Sequence, residues 1–473
     1  MKAIKYLLLF ALFINKIYGG LTRLRLQQQT REQLSKDGKE NFDKHIKSID
    51  KLKKLSAELH GNKYIKDDKN EEVKHTPFEN AALFQGDMIL SPEHAKLMIE
   101  EAKIKVDAKK QGKNITDKDV VEKLKKNRAF QRNMYYRWEF PIPYYVEPGV
   151  DASIIDAGLK DIEKNSCVRF QKSGRFQGRS GLRFFRGGGC YSAVGRVKPN
   201  QVQDVSIGNG CGYIGVVGHE TFHALGFQHE QSRPDRDQYI QVVFNNIIPN
   251  LRFNFDIYGA DKTDTMGVPY NYGSAMQYGR TAFSPTGADT MIAKNKLYVN
   301  TIGNSEKMQF LDFKALNLAY CKNKCNGGVQ CENGGYENPN QCGTCLCPFL
   351  LTGTTCNEYI KNPPACGNQN VIKLSGSPVS IRARGPYKCV YAVSAPGRVR
   401  LTFGYTNMLI RSDKSCHSGD GVEAQYLNDK TFTGVTFCGN SRGRSIVSEG
   451  PLMLVKFTGH SNNEMADMTF QAV

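Results

Sequence analysis

Hydrophobic and polar positions divide the chain into stretches of different character. Residues 21–128 are polar and charged, with helix-period patches such as HAKLMIEEAKIKV and DVVEKLKKN. One apolar stretch punctuates them, ALFQGDMIL at 82–90. From residue 129 the pattern changes: strand-like runs such as IPYYV and GLRFF are separated by glycine-rich turns. Two helices are predicted there, DASIIDAGLKDIEKNS and the segment from Gly215 to Phe227. Residues 325–356 are short, cysteine-dense and glycine-rich. Residues 366–473 alternate apolar and polar positions in short strands with glycine turns, which predicts an all-β sandwich.

The first twenty residues bear on the compartment. Lys2 and Lys5 precede an apolar run from Tyr6 to Ile14, and Gly19 and Gly20 follow. The run is too short to span about 30 Å of hydrocarbon as a helix, so residues 1–20 read as a signal peptide. No later stretch is long and apolar enough for a transmembrane anchor, and the expected location is extracellular.

A length of 473 residues leaves room for several domains, and a 40% apolar content allows ordinary cores. The net charge of +18 would fit a nucleic-acid binder, but Lys crowds the stretch 36–126, as in KLKKL and VEKLKKNR. Such runs are commonly solvated helix faces, and a removable basic pro-region accounts for them better in a secreted chain. The fourteen cysteines agree with an oxidising compartment. None precedes Cys167, so the first third is a different kind of segment.

The chemistry concentrates in His219-Glu220-Thr221-Phe222-His223-Ala224-Leu225-Gly226-Phe227-Gln228-His229. Helical residues four apart share a face, so His219 and His223 can address one ion. Gly226 can end the helix in a left-handed conformation, and the chain then returns His229 as a third ligand. Three neutral imidazoles suit one Zn2+ and leave a position for water, as a catalytic site requires. Zinc lowers the pKa of such a water to about 7, and Glu220 stands where it can take the proton and later pass it to the leaving amine. The chain has nine histidines, and three of them fall in this stretch. Satisfied core histidines are therefore a poor account of it, and a closed structural zinc site would need a fourth ligand, usually a thiolate.

HExxHxxGxxH resembles the metzincin metallopeptidases, and Glu230 with the continuation QSRPDRD narrows the resemblance to the astacins. Ser274-Ala275-Met276-Gln277-Tyr278 resembles their methionine turn, and GGGCYSAVGR at 187–196 is also similar. The resemblance implies an α+β peptidase domain over 129–321. It places Met276 as an apolar floor beneath the zinc, and Tyr278 as a resting ligand that swings to stabilise the oxyanion. It further implies disulfides Cys167–Cys321 and Cys190–Cys211.

Phe84-Gln85-Gly86-Asp87 resembles the family's pro-region motif FxGD, which implies that Asp87 blocks the zinc in a latent precursor. Lys125-Lys126-Asn127-Arg128 is a basic processing signal. Cleavage after Arg128 would free Ala129, and cleavage after Arg132 is the alternative. In the family the new ammonium approaches the acidic residue after the third histidine, here Glu230.

Cys325, Cys331, Cys342, Cys345, Cys347 and Cys356 resemble an EGF-like module over 322–357. Six cysteines allow 15 pairings; Cys342-Gly343-Thr344-Cys345 departs from common EGF spacing and leaves the first pairings open, while Cys347–Cys356 is the firmest expectation. Cys366, Cys389, Cys416 and Cys438, paired in order, resemble a CUB domain over 366–473, and Asp420-Gly421-Val422-Glu423 loosely fits that family. CUB domains often bind Ca2+ and partner proteins, but no calcium ligands are assigned. Asn114-Ile115-Thr116 is a sequon for N-glycosylation within the pro-region.

The expected function is a secreted zinc endopeptidase acting on extracellular proteins. A catalytically idle fold serving its EGF-like and CUB-like parts is the rival, and the intact His219, Glu220, His223, His229 and Tyr278 argue against it.

Overall fold

A computed structural model describes residues 22–66, 76–126, 137–257, 265–367, 369–409 and 415–473. The expected signal peptide, Arg128, Ala129 and Arg132 lie outside the described residues. Among the described residues no helix is long and apolar enough to cross a membrane.

The N-terminal stretch folds into helices α1 (Arg23–Gln33), α2 (Lys36–His60), α3 (Pro92–Lys110) and α4 (Asp117–Lys126). In α2 most lysines face water while Phe42, His45, Ile49, Leu52, Lys53 and Ser56 are buried, largely at helical spacing. Ser35 caps its start and Gly61, at φ +69°, ends it. Between α2 and α3 runs the apolar stretch 82–90, almost wholly buried, which forms the short strand β1 (Met88–Ile89). Phe84 packs on Phe253, with ring centroids 6.3 Å apart, so this stretch shares a core with the following domain.

That domain is built on β2 (Ile142–Val146), β3 (Phe170–Lys172), β4 (Gly181–Phe185), β5 (Cys190–Ala193) and β6 (Val202–Ile207). With β1 they form a six-stranded sheet in the order β1-β5-β6-β4-β2-β3. All pairings are parallel except β5 with β6. β1 thus adds to an edge strand, with Met88 opposite Ser192 and Ile89 opposite Ala193. Helices α5 (Ala152–Asn165) and α6 (Ile214–Ala224) pack together on the sheet. Gly158 allows their close approach, since a Cβ there would lie 2.6 Å from Val217 Cγ1. Helix α7 (Phe310–Tyr320) closes the domain, and the disulfide Cys167–Cys321 ties its end to the end of α5. Cys190–Cys211 joins the edge strand to the loop before α6.

Residues 325–356 carry two small hairpins and the disulfides Cys325–Cys342, Cys331–Cys345 and Cys347–Cys356. So small a unit cannot bury much core and relies on such crosslinks.

The remainder is two five-stranded sheets. One runs Val371–Lys373, Lys388–Ser394, Leu452–Thr458, Gly421–Gln425, Val435–Phe437 in spatial order. In the other, Val379–Arg384, Met465–Ala472, Val399–Asn407 and Asn440–Ser441 follow one another, with Ser445–Val447 also on Val399–Asn407. Phe403, Phe457 and Phe470 are fully buried in this part of the chain. Cys366–Cys389 and Cys416–Cys438 crosslink it. It meets the preceding domain through buried polar pairs: Asn271 Nδ2 donates to Thr433 Oγ1 at 3.0 Å, and Thr436 N–H donates to Thr301 Oγ1 at 3.0 Å.

Candidate metal centre

Helix α6 presents His219, Glu220 and His223. Its C-terminal end is held from outside: Trp138 Nε1–H donates to Ala224 O and Tyr320 O–H to Leu225 O, each at 2.7 Å. Gly226, at φ +104°, then turns the chain, a conformation that disfavours any side chain. His229 returns with its Nε2 3.3 Å from His219 Nε2.

Asp87 reaches into this cluster from the stretch before α3. Its Oδ2 lies 3.0 Å from His229 Nε2 and 3.4 Å from His219 Nε2, and its Oδ1 lies 3.8 Å from His223 Nε2. One ligand atom from each of the four residues falls within 4.8 Å of all the others.

The ring nitrogens facing away are also engaged. His219 Nδ1 meets Ala275 O and His223 Nδ1 meets Phe227 O, each at 2.8 Å. His229 Nδ1 meets Gln85 Oε1 at 2.8 Å. Such contacts fix the tautomer and leave Nε2 free to bind a metal.

The turn containing Met276 supports the cluster from below. Ser274 Oγ donates to Asp312 Oδ1 at 2.6 Å and accepts from Met276 N–H at 3.0 Å. Met276 is buried, and its carbonyl accepts from Glu230 N–H at 2.8 Å. The Tyr278 ring lies against His229, centroids 4.3 Å apart, and its buried hydroxyl has no hydrogen-bond partner. Glu230 Oε1 accepts from Asn271 N–H at 2.7 Å and from Arg233 at 3.3 Å. Burial outweighs these contacts and pushes the Glu230 carboxyl up to about 7.

Burial alone would raise the Asp87 carboxyl, but His229, His219 and His223 together hold it well below the usual range. Burial pushes the His223 imidazole down and takes His229 to about 3, so both rings are neutral with lone pairs available. Burial, and then the Asp87 charge, push Glu220 well up. Burial likewise raises Tyr278, which keeps its proton.

A divalent cation fits this arrangement. Asp87 Oδ1, His223 Nε2 and both Glu220 oxygens are buried without a hydrogen-bond partner. Neutral imidazoles and an ionised carboxylate converge in one spot, a nitrogen-and-oxygen donor set that zinc accepts.

The FxGD motif marks Asp87, but nothing in it marks Gln85, whose residue type is free there. The supporting carbonyls of Ala275 and Phe227 are invisible to residue type altogether. Asp312 was missed as well. Its one signal is its position three residues after Gln309, which forms a capping box at the start of α7.

The family profile described as Astacin, a peptidase family, matches residues 130–321. The chain is 33% identical over 422 residues to zinc metalloproteinase nas-34 of Caenorhabditis elegans, covering 87% of this chain and 69% of that protein. It is 34% identical over 405 residues to nas-37 of the same organism, covering 85% of this chain and 49% of that one, so it spans about half of that relative's length. Among solved structures, the hatching enzyme high choriolytic enzyme 1 of Oryzias latipes is similar at 33% identity, with 39% of this chain and 93% of that chain covered and a TM-score of 0.35.

Proposed function

Because the chain belongs to the astacin family of zinc metallopeptidases, we propose that it is a secreted endopeptidase, made as a precursor and silenced by its own residues 21–128. One observation carries this reading: the Asp87 carboxylate meets the Nε2 atoms of His219, His223 and His229, beside a Glu220 whose oxygens have no other partner.

His219, His223 and His229 would hold the zinc, with Asp87 as a further ligand in the precursor. Zinc, when bound, supplies Lewis-acid polarisation of the scissile carbonyl and a water acidic enough to give up a proton near neutral pH. Glu220 accepts that proton and delivers it to the leaving nitrogen, as general base and then general acid. Tyr278, protonated and buried, donates its O–H to the negative charge developing on the carbonyl oxygen.

The edge strand β5 orients the substrate. In the precursor Cys190, Ser192 and Val194 donate their N–H groups to the carbonyls of Pro77, Asp87 and Ile89. Removing the segment frees these donors for the backbone of an extended peptide. Cleavage after Arg128 starts this change, and the new Ala129 ammonium pairs with Glu230, whose buried carboxyl favours a cationic partner.

The flanking parts follow the same reading. Residues 1–20 direct secretion and Asn114 carries a glycan within the pro-region. Residues 322–357 and 366–473, EGF-like and CUB-like, bind extracellular proteins and help select substrates.

The test removes residues up to Arg128 from the purified precursor and measures hydrolysis of a fluorogenic peptide library. Activity lost to a zinc chelator and absent from Glu220→Ala supports the reading. A zinc-loaded, processed chain that cleaves nothing contradicts it.

A further inference from the structure

Two of the three histidines are oriented by the peptidase domain itself, through the carbonyls of Ala275 and Phe227. The third is not. Among the described residues, Gln85 Oε1 is the acceptor for His229 Nδ1, at 2.8 Å. Ser232 Oγ–H donates to the same oxygen at 2.9 Å. With Nε2 of His229 turned toward the metal position, its Nδ1 carries the proton, and the amide oxygen, not the amide nitrogen, is the atom that can accept it.

Gln85 is built to deliver this contact. It is 1% exposed, and its backbone takes φ +48°, unusual for a side chain of this kind. Asn254 Oδ1 accepts its N–H at 2.8 Å, which pins that backbone. Gly86 follows at φ +81°, and a Cβ there would lie 2.9 Å from Phe78 O. This turn sends Gln85 behind His229 and Asp87 in front of it.

An imidazole that binds a metal through Nε2 must keep its proton on Nδ1, and the acceptor of that proton sets ring orientation and basicity. We propose that Gln85 is a metal-positioning residue, supplied by the pro-segment to the third zinc ligand. Removal of the segment then does two things: it withdraws the Asp87 carboxylate, and it leaves His229 without its orienting acceptor. The precursor accordingly retains zinc more tightly than the processed enzyme. This rests on the reading of Asp87 as a zinc ligand in a latent precursor.

The test is the Zn2+ dissociation constant of the full-length precursor, measured by competition with a chromophoric chelator. Gln85→Met keeps the length of the side chain and loses the acceptor. It should raise the constant about 10-fold or more, the usual effect of losing such a partner. Gln85→Glu keeps an acceptor and should stay near wild type. If Met disturbs the local packing, Gln85→Gly suits the positive φ and must also raise the constant. After processing, wild type and all Gln85 variants are the same protein, so they must share one weaker constant.

Wild-type affinity in the Gln85→Met and Gln85→Gly precursors overturns the proposal, and so does a loss in Gln85→Glu as large as in Gln85→Met. Asp87→Ala separates the two readings. If it raises the constant while the Gln85 variants do not, only the Gln85 proposal falls. If it changes neither affinity nor latency, the latent-precursor reading falls with it.

Discussion

Ser35 Oγ lies 2.8 Å from Asp204 Oδ2, and the Ser35 backbone N–H donates to the same oxygen at 2.9 Å. The N-terminus of α2 is thus seated on strand β6 of the peptidase domain. Arg183 Nη1 balances the other oxygen of Asp204 at 2.9 Å. A helix N-terminus offers unsatisfied donors, and a carboxylate there gains from both the hydrogen bonds and the helix dipole. Ser35→Ala removes the cap and one charged hydrogen bond, at a cost of about 2 kcal/mol. The denaturant midpoint of the precursor should fall, and the processed chain, which no longer contains Ser35, should unfold as before. An unchanged precursor midpoint would mean that this contact does not hold the segment.

Asp87→Ala removes the carboxylate while leaving the histidines and Glu220 in place. The uncleaved variant should hydrolyse peptide at a measurable, chelator-sensitive rate. That rate should stay below the rate of the processed chain, because β1 still occupies the edge of the sheet. Assay of the intact variant beside intact wild type checks this, and equal silence in both counts against Asp87 as the block.

Tyr278→Phe tests the oxyanion role. The ring contact with His229 survives the change, so zinc content should hold. Loss of one donor to the developing charge should lower kcat by about 10²–10³-fold with little change in KM. Steady-state kinetics on the processed variant separate the two, and a rise in KM alone would assign Tyr278 to substrate binding instead.

The hold of the pro-region should weaken in acid through His45. Its Nδ1 accepts from Leu90 N–H at 3.0 Å, next to β1, and burial pushes the ring down to about 3. An unfolded chain takes up that proton near 6.5. Stability is therefore full above about pH 6.5 and declines as pH falls toward 3, by up to about 1.4 kcal/mol per unit. His60 has the opposite sign. Its hydrogen bond to Asp256 raises it against the opposing effect of burial, so its contribution is full in acid and fades as pH rises through the raised value. Melting of the His45→Asn precursor across this range should show a flatter acid limb than wild type. Identical limbs would exclude His45 as the source.

The zinc cluster was legible because its geometry is local. Two histidines four apart on a helix, a glycine that stops it, and a third histidine three residues on leave the chain little choice of arrangement. The methionine turn was legible only through resemblance, since Ser274 and Tyr278 are ordinary residues until Asp312 and His229 are placed beside them. Gln85 and Ser35 lie 144 and 169 residues from their partners His229 and Asp204, and no periodicity connects such pairs. In α2 the lysines dominate the sequence and hide the stripe of Phe42, Ile49 and Leu52 that docks the helix. Counting cysteines left the first pairings at 325–356 open. In the folded module Cys325 bonds Cys342 and Cys331 bonds Cys345, a choice that depends on where the loops between them run and not on the cysteine count.

The most direct test of a zinc peptidase kept silent by its own pro-region follows one preparation through four states. Hydrolysis of a single peptide substrate is recorded for the intact precursor, after removal of residues up to Arg128, after chelation, and after zinc is returned. The account predicts silence, activity, silence and activity again. A precursor as active as the processed chain, or a processed chain indifferent to chelation, would contradict it.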